Sequence, residues 1–224
     1  MARFTRLEVY KAMLESGLVP LFYHPDVEVG KKVVDACVAG GAPVLEFTNR
    51  GDMAYDVFRQ LMQYSVENHP SLILGVGSVV DAPTAAMYIG AGANFVVAPL
   101  LNPEVARLCN RRKIPYLPGC ATMTEISQAE ELGVEIVKVF PGHTVGGPKF
   151  VKTVLGPCPW TSIMPSSGVE ANEDNIRGWI EAGASCLGMG SNLITKSLVA
   201  SGDYQGITQN VTRVLGWIAE ARKK

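Results

Sequence analysis

Hydrophobic positions along this chain fall into two alternating rhythms. Residues 5–16 place Leu7, Tyr10, Met13 and Leu14 at helical spacing, and Gly17 ends the run. Residues 18–22 form a short apolar strand, residues 27–39 an amphipathic helix ended by Gly40-Gly41, and residues 44–48 a second strand. A helix over 53–66 leads to a third strand at 72–76. A helix around 85–89, entered through Asp81-Ala82-Pro83-Thr84 and closed by Gly90, leads to a fourth strand at 95–99. Asn102 caps a helix over 103–110, with Pro103 in its first turn. A weak fifth strand at 114–118, a helix at 124–132 stopped by Gly133, and a sixth strand at 135–141 follow. Next come a glycine-rich loop at 142–148, read as mobile, and a short helix at 150–155. A strand at 162–165, a helix at 175–182, a strand at 186–189 and a helix at 203–221 close the chain.

Strand and helix thus alternate eight times without a linker or a shift in composition. This pattern predicts a parallel sheet with helices outside. Eight units predict an α/β fold, a single-domain (β/α)8 TIM barrel over residues 1–224 with an extra N-terminal helix. The alternative is a doubly wound open sheet, but no G-x-G-x-x-G follows the first strand.

The sixth strand carries one charge, Lys138, amid Ile136, Val137, Val139 and Phe140. Alternation puts Ile136, Lys138 and Phe140 on one face. Lysine is seldom buried without a partner or a purpose, and burial favours its neutral, nucleophilic amine. A Schiff-base lysine is one reading; a lysine snorkelling to water is the other. On the second strand, Val44, Glu46 and Thr48 share a face, with Arg50 just beyond. Glu46 reads as a general acid/base beside the amine, or as half of a buried ion pair. Arg50 suits a substrate carboxylate, or is a surface loop arginine. A barrel gathers strand C-terminal ends into its site. The Ser166-Ser167-Gly168 and Gly190-Ser191 loops then lie where many barrels hold phosphate, although glycine and serine are also ordinary turn residues. His143 reads mainly as a solvated loop histidine.

Composition narrows the function. The chain has 224 residues, a net charge of -1 and 47% hydrophobic residues. With no basic cluster, it has no footprint for nucleic acid. No apolar run reaches the ~18 residues that span a membrane. The N-terminus, Met1-Ala2-Arg3-Phe4-Thr5-Arg6, lacks the apolar segment of a signal peptide, so a cytoplasmic protein is expected. Five scattered cysteines and three separated histidines suggest neither disulfides nor a metal site.

Several stretches together resemble the class I 2-keto-3-deoxy-6-phosphogluconate (KDPG) / 4-hydroxy-2-oxoglutarate (KHG) aldolases. They are residues 40–50 (GGAPVLEFTNR), 75–79 (GVGSV), 92–99 (GANFVVAP), 118–125 (PGCATMTE) and 138–141 (KVFP). The resemblance implies a trimeric (β/α)8 barrel that cleaves KDPG to pyruvate and glyceraldehyde 3-phosphate, a step of Entner–Doudoroff carbohydrate metabolism. It extends to cleavage of 4-hydroxy-2-oxoglutarate to pyruvate and glyoxylate. It implies Lys138 as the Schiff-base residue, Glu46 as the proton shuttle and Arg50 at the keto-acid carboxylate. Ser78, Pro99 and Phe140 are expected to line the substrate. Ser166, Ser167, Gly168, Gly190 and Ser191 are expected to hold the distal phosphate. No metal or other cofactor is expected, since the imine does the polarising. Two departures stand out: Gly77-Ser78-Val79 replaces the family's Gly-Thr-Val, and Ser166-Ser167-Gly168 replaces its Thr-Gly-Gly, putting a side chain where a glycine belongs. The alternatives are an aldolase for the galactonate epimer or another 2-keto acid, a metal-assisted aldolase or phosphate-binding isomerase, and a non-catalytic binder of phosphorylated sugar acids.

Overall fold

The computed structural model describes residues 3–223; Met1 and Ala2, part of the signal-peptide reading, lie outside the described residues. The elements run α1 (Arg6–Ser16), β1 (Leu18–Phe22), α2 (Val27–Ala39), β2 (Val44–Thr48), α3 (Ala54–Asn68), β3 (Ile73–Gly77), α4 (Ala82–Gly90), β4 (Val96–Val97), α5 (Pro103–Arg112), β5 (Tyr116–Leu117) and β6 (Gly119–Cys120). They continue with α6 (Met123–Glu131), β7 (Ile136–Val139), α7 (Gly147–Leu155), β8 (Ser162–Pro165), α8 (Glu173–Glu181), β9 (Leu187–Met189), α9 (Lys196–Ser201) and α10 (Tyr204–Ala221).

All strand pairings are parallel, and the sheet curls. One ladder runs β5-β4-β3-β2-β1-β9 and a second runs β6-β7-β8. Only Pro118 separates β5 from β6, where the fifth expected strand is split because proline has no N–H for the ladder. Ser166, one residue past β8, bridges Gly188 of β9 in parallel.

Strand alternation sorts the core into two layers. Val19, Val44, Ile73, Phe95, Val97, Leu117, Ile136, Met164 and Cys186 face inward together, joined by Val9, Tyr10 and Met13 of α1. Thus α1 covers the lower, N-terminal end of the strands. Thr5 starts it with a capping box to Glu8, and Gly17 ends it in the left-handed region at φ 73°. Its buried stripe is Val9, Tyr10 and Met13, not the expected Leu7 and Leu14, which are exposed. The outward strand residues, such as Phe47, Val137 and Val139, pack under the helices in the larger core.

The glycine-rich segment differs from expectation. Helix α7 begins inside it at Gly147 rather than at residue 150, the Gly147 amide donates to the Gly142 carbonyl (3.0 Å), and Gly142 and Gly147 are buried. Helix α9 was not anticipated; its six residues contain no buried position and so no apolar stripe to read. No helix is long and apolar enough to cross a membrane among the described residues.

Candidate active site

Two charged side chains stand at matching heights on the inner face. Glu46 is 1% exposed on β2 and Lys138 is 6% exposed on β7. Each faces a glycine on a neighbouring strand: Glu46 is in register with Gly75 of β3, and Lys138 with Gly119 of β6. Both glycines admit close neighbours: a Cβ on Gly75 would overlap the Phe95 ring, and one on Gly119 the Pro99 carbonyl. Gly77 shows it most directly, since a Cβ there would overlap Glu46 Oε1. Glu46 Oε2 is fully buried and has no hydrogen-bond partner in the protein. No direct hydrogen bond or ion pair joins it to Lys138. A buried, unpartnered carboxylate oxygen is costly, and it marks a place where stability is given up.

Burial shifts both groups toward neutrality. Desolvation pushes Glu46 above the usual carboxylate range, against the pull of Lys138 and Arg50. Desolvation pushes Lys138 below the usual amine range; Glu46 opposes this and Arg50 reinforces it. Lys138 Nζ also lies 4.6 Å from the centroid of the Phe140 ring. That ring face favours the ammonium by roughly 0.5–2 kcal/mol and so moderates the burial effect.

Above the pair opens a cavity of about 700 Å³. Its lining reaches Thr48 and Phe140, each two residues beyond Glu46 and Lys138 on the same strand face. Arg50, Ser166, Ser167, Gly168, Gly190 and Ser191 also line it, as expected from the sequence. A shallower depression of about 750 Å³ lies among α1, α8 and α10, away from the strand ends that carry the acid and amine.

Glu46, Lys138, Ser78 and Pro99 lie outside the residues that line the cavity. Ser78 instead supports Arg50, whose Nε donates to Ser78 Oγ at 3.5 Å, and it adopts a left-handed φ of 60° to do so. Pro99 packs its carbonyl against Gly119, where a Cβ would overlap it.

The turn after β8 is tight. Ser166 is buried; its amide donates to the Val139 carbonyl (3.0 Å) and its carbonyl accepts from the Gly142 amide (2.8 Å). Ser167 and Gly168 both have positive φ, 74° and 79°. A left-handed serine is strained by about 1–2 kcal/mol relative to glycine. Its Oγ lies 3.1 Å from His143 Nδ1, and a Cβ on Gly168 would overlap His143. His143 is therefore exposed but anchored on this turn, which sharpens its loop reading.

Sequence reasoning missed Thr48, His24, Asn192 and Lys196, all of which line the cavity. Thr48 was available from strand parity with Glu46. The others sit on loops or on α9, which have no periodicity to place them. Among the described residues no group of three His, Cys, Asp or Glu side chains is placed to hold a metal ion.

The fold is thus a curled parallel α/β sheet that buries an acid, Glu46, and an amine, Lys138, among its inward-facing residues. Comparison with known proteins makes the assignment specific. The family profile described as KDPG and KHG aldolase matches residues 9–210, and the chain belongs to that family of lyases. The 2-dehydro-3-deoxy-phosphogluconate aldolase of Haemophilus influenzae is 30% identical over 212 residues, 95% of this chain and 97% of that one. The protein of the same name from Pseudomonas aeruginosa is 33% identical over 192 residues, 85% of this chain and 84% of that one. The KDPG aldolase of Legionella pneumophila, solved with pyruvate captured as a covalent carbinolamine, has the same fold. Its TM-score is 0.82 at 24% identity, over 91% of this chain and 96% of that one.

Proposed function

We propose that this protein is a Schiff-base aldolase that cleaves 2-keto-3-deoxy-6-phosphogluconate to pyruvate and glyceraldehyde 3-phosphate. Its second substrate is 4-hydroxy-2-oxoglutarate, cleaved to pyruvate and glyoxylate. The observation that carries this reading is the buried Lys138 amine on the same inner rim as the unpartnered Glu46 carboxyl.

The neutral amine of Lys138 attacks the ketone carbon. Protonated Glu46 supplies the proton with which the carbinolamine hydroxyl leaves as water. This gives an iminium cation and a Glu46 carboxylate, so charge stays matched inside the site. The carboxylate takes the C4 hydroxyl proton, the C3–C4 bond breaks, and its electron pair flows to the iminium nitrogen. The aldehyde departs and an enamine remains. Glu46, protonated again, delivers its proton to C3. Water then hydrolyses the resulting iminium, releasing pyruvate and restoring amine and acid. Arg50 pairs with the keto-acid carboxylate. No metal or organic cofactor has a role in this scheme.

We read the two ladders as arcs of one closed (β/α)8 barrel, supported by the Pro118 junction and the Ser166–Gly188 bridge. Exposed Met53, Val80, Met87, Leu100 and Met123 offer apolar surface for a homotrimer in the cytoplasm.

The test is trapping. Pyruvate plus borohydride adds a stable reduced adduct to the protein, and peptide mapping finds it on Lys138. An adduct elsewhere, or none, ends the proposal.

A further inference from the structure

The cavity is one-sided in charge. Its lining contains two cations, Arg50 and Lys196, and no aspartate or glutamate. Arg50 follows β2 and Lys196 lies beyond β9; β1 separates these strands in the ladder. Two inter-strand spacings put the two strands about 10 Å apart. Lys196 forms no ion pair among the described residues. The exposed Lys196 shares this lining with the apolar Val29, Val33, Ile194 and Val199 and with the titratable Tyr23 and His24. His24 Nδ1 is engaged by the Asp26 backbone, which leaves Nε2 unclaimed by the protein. An apolar wall lowers the local dielectric and strengthens any charge-assisted contact made against it.

The nearby turn is altered for the same task. Ser167 puts a side chain into the left-handed turn, and its hydroxyl is engaged by His143. An anion at this end therefore meets a more crowded turn, with an unpaired cation close by.

We propose that Lys196 is a specificity-determining residue whose ammonium holds the distal anion of the substrate, phosphate or carboxylate, at the β9 side of the cavity. The inference rests on the aldolase reading above, in which Arg50 takes the opposite end of the same molecule.

The test uses the full chain and its Lys196→Met and Lys196→Arg variants. Three 4-hydroxy-2-keto acids are compared, ending in a phosphate, a carboxylate or an uncharged group. In Lys196→Met, kcat/KM for an anionic tail relative to the uncharged tail falls about ten- to a hundredfold, as expected for losing a hydrogen bond to a charged group. The loss lies in KM, and Lys196→Arg recovers most of it. The anionic tail that loses more identifies the ligand the site serves. Lys149, exposed on α7 outside the cavity, provides the control: Lys149→Met keeps the wild-type ratio. An unchanged ratio in Lys196→Met, or an equal loss on all three tails, overturns the proposal. Should pyruvate fail to trap on Lys138, the aldolase reading fails by itself. Titration with inorganic phosphate still decides the role of Lys196: about tenfold weaker binding in Lys196→Met supports it, and equal binding refutes it.

Discussion

Strand β7 has two ends of opposite chemistry on one face. At its lower end Ile136 packs with Val44, Ile73, Met164 and the α1 side chains Tyr10 and Met13 in a mostly apolar layer that also buries the unpartnered Tyr10 hydroxyl. Two residues up stands the buried Lys138, in register with Gly119, and across the inner face Glu46 lacks a hydrogen-bond partner for one oxygen. The lower half contributes stability and the upper half gives some up. The halves are not independent, because the dry lower layer helps make the site above it poor in water. That dryness moves both ionisable groups toward neutrality.

The comparison breaks most sharply at Lys138. Lys138→Met removes the nucleophile, and aldol cleavage is expected to fall at least about a thousandfold. The same change replaces a buried amine by an apolar group of similar length, so stability is expected to rise by about 1 kcal/mol or more. That corresponds to roughly 2–4 °C in Tm for a chain of this size. The pH dependence has a definite sign. The folded protein holds Lys138 below its unfolded value of about 10.4, so between the two the unfolded chain binds more protons and stability rises with pH. Calorimetry across this window should find that rise flattened in Lys138→Met. Glu46, held high, contributes the reverse at the acidic side: stability present below about pH 4.3 and lost as pH climbs through its folded value.

Glu46→Gln comes next. It should still form the pyruvate adduct while turnover drops about 10²–10⁴-fold, the usual range for a positioned acid/base. Because Glu46 opposes the loss of the Lys138 proton, its removal moves the acid limb of imine formation to lower pH. Rapid-quench borohydride trapping over a pH series measures both. Full activity in Glu46→Gln would discard the assignment. Gly77→Ala sharpens the point without touching an ionisable residue: its methyl overlaps the Glu46 carboxyl, so turnover is expected to fall about a hundredfold. An active Gly77→Ala enzyme would show that Glu46 works from elsewhere.

The smallest chemical effect is expected at the bottom. Met13 is fully buried against the inner layer, and Met13→Ala should cost about 2–5 kcal/mol of stability. In the fraction that stays folded, kcat should remain near wild type. Denaturant titration paired with active-site counting by trapping separates the two. A matched loss of chemistry would mean that the halves cannot be treated apart.

Much of this division was legible beforehand. β1, α2, β2 and β8 fall on their expected bounds, because apolar runs and glycine or proline punctuation coincide there. Strand parity alone put Glu46 and Lys138 on inward faces. What escaped was set by tertiary context. β4 is only Val96–Val97, since a ladder ends where its neighbour does. α7 starts earlier than its apolar spacing, at Gly147, with Gly146 as its N-cap and both at positive φ. Ser78 braces Arg50 and Pro99 packs on Gly119, contacts that position along the strand did not announce. Lys196 carried no signal at all until a short helix brought it to the cavity.

Helix α1 has a consequence for traffic. Val9, Tyr10 and Met13 close the lower end of the inner layer. If the proposed imine forms on Lys138, the C3–C4 cleavage frees the aldehyde while pyruvate is still bonded to nitrogen, so aldehyde would leave first and pyruvate last. Product inhibition should carry that signature, with pyruvate competing against substrate and the aldehyde giving a mixed pattern.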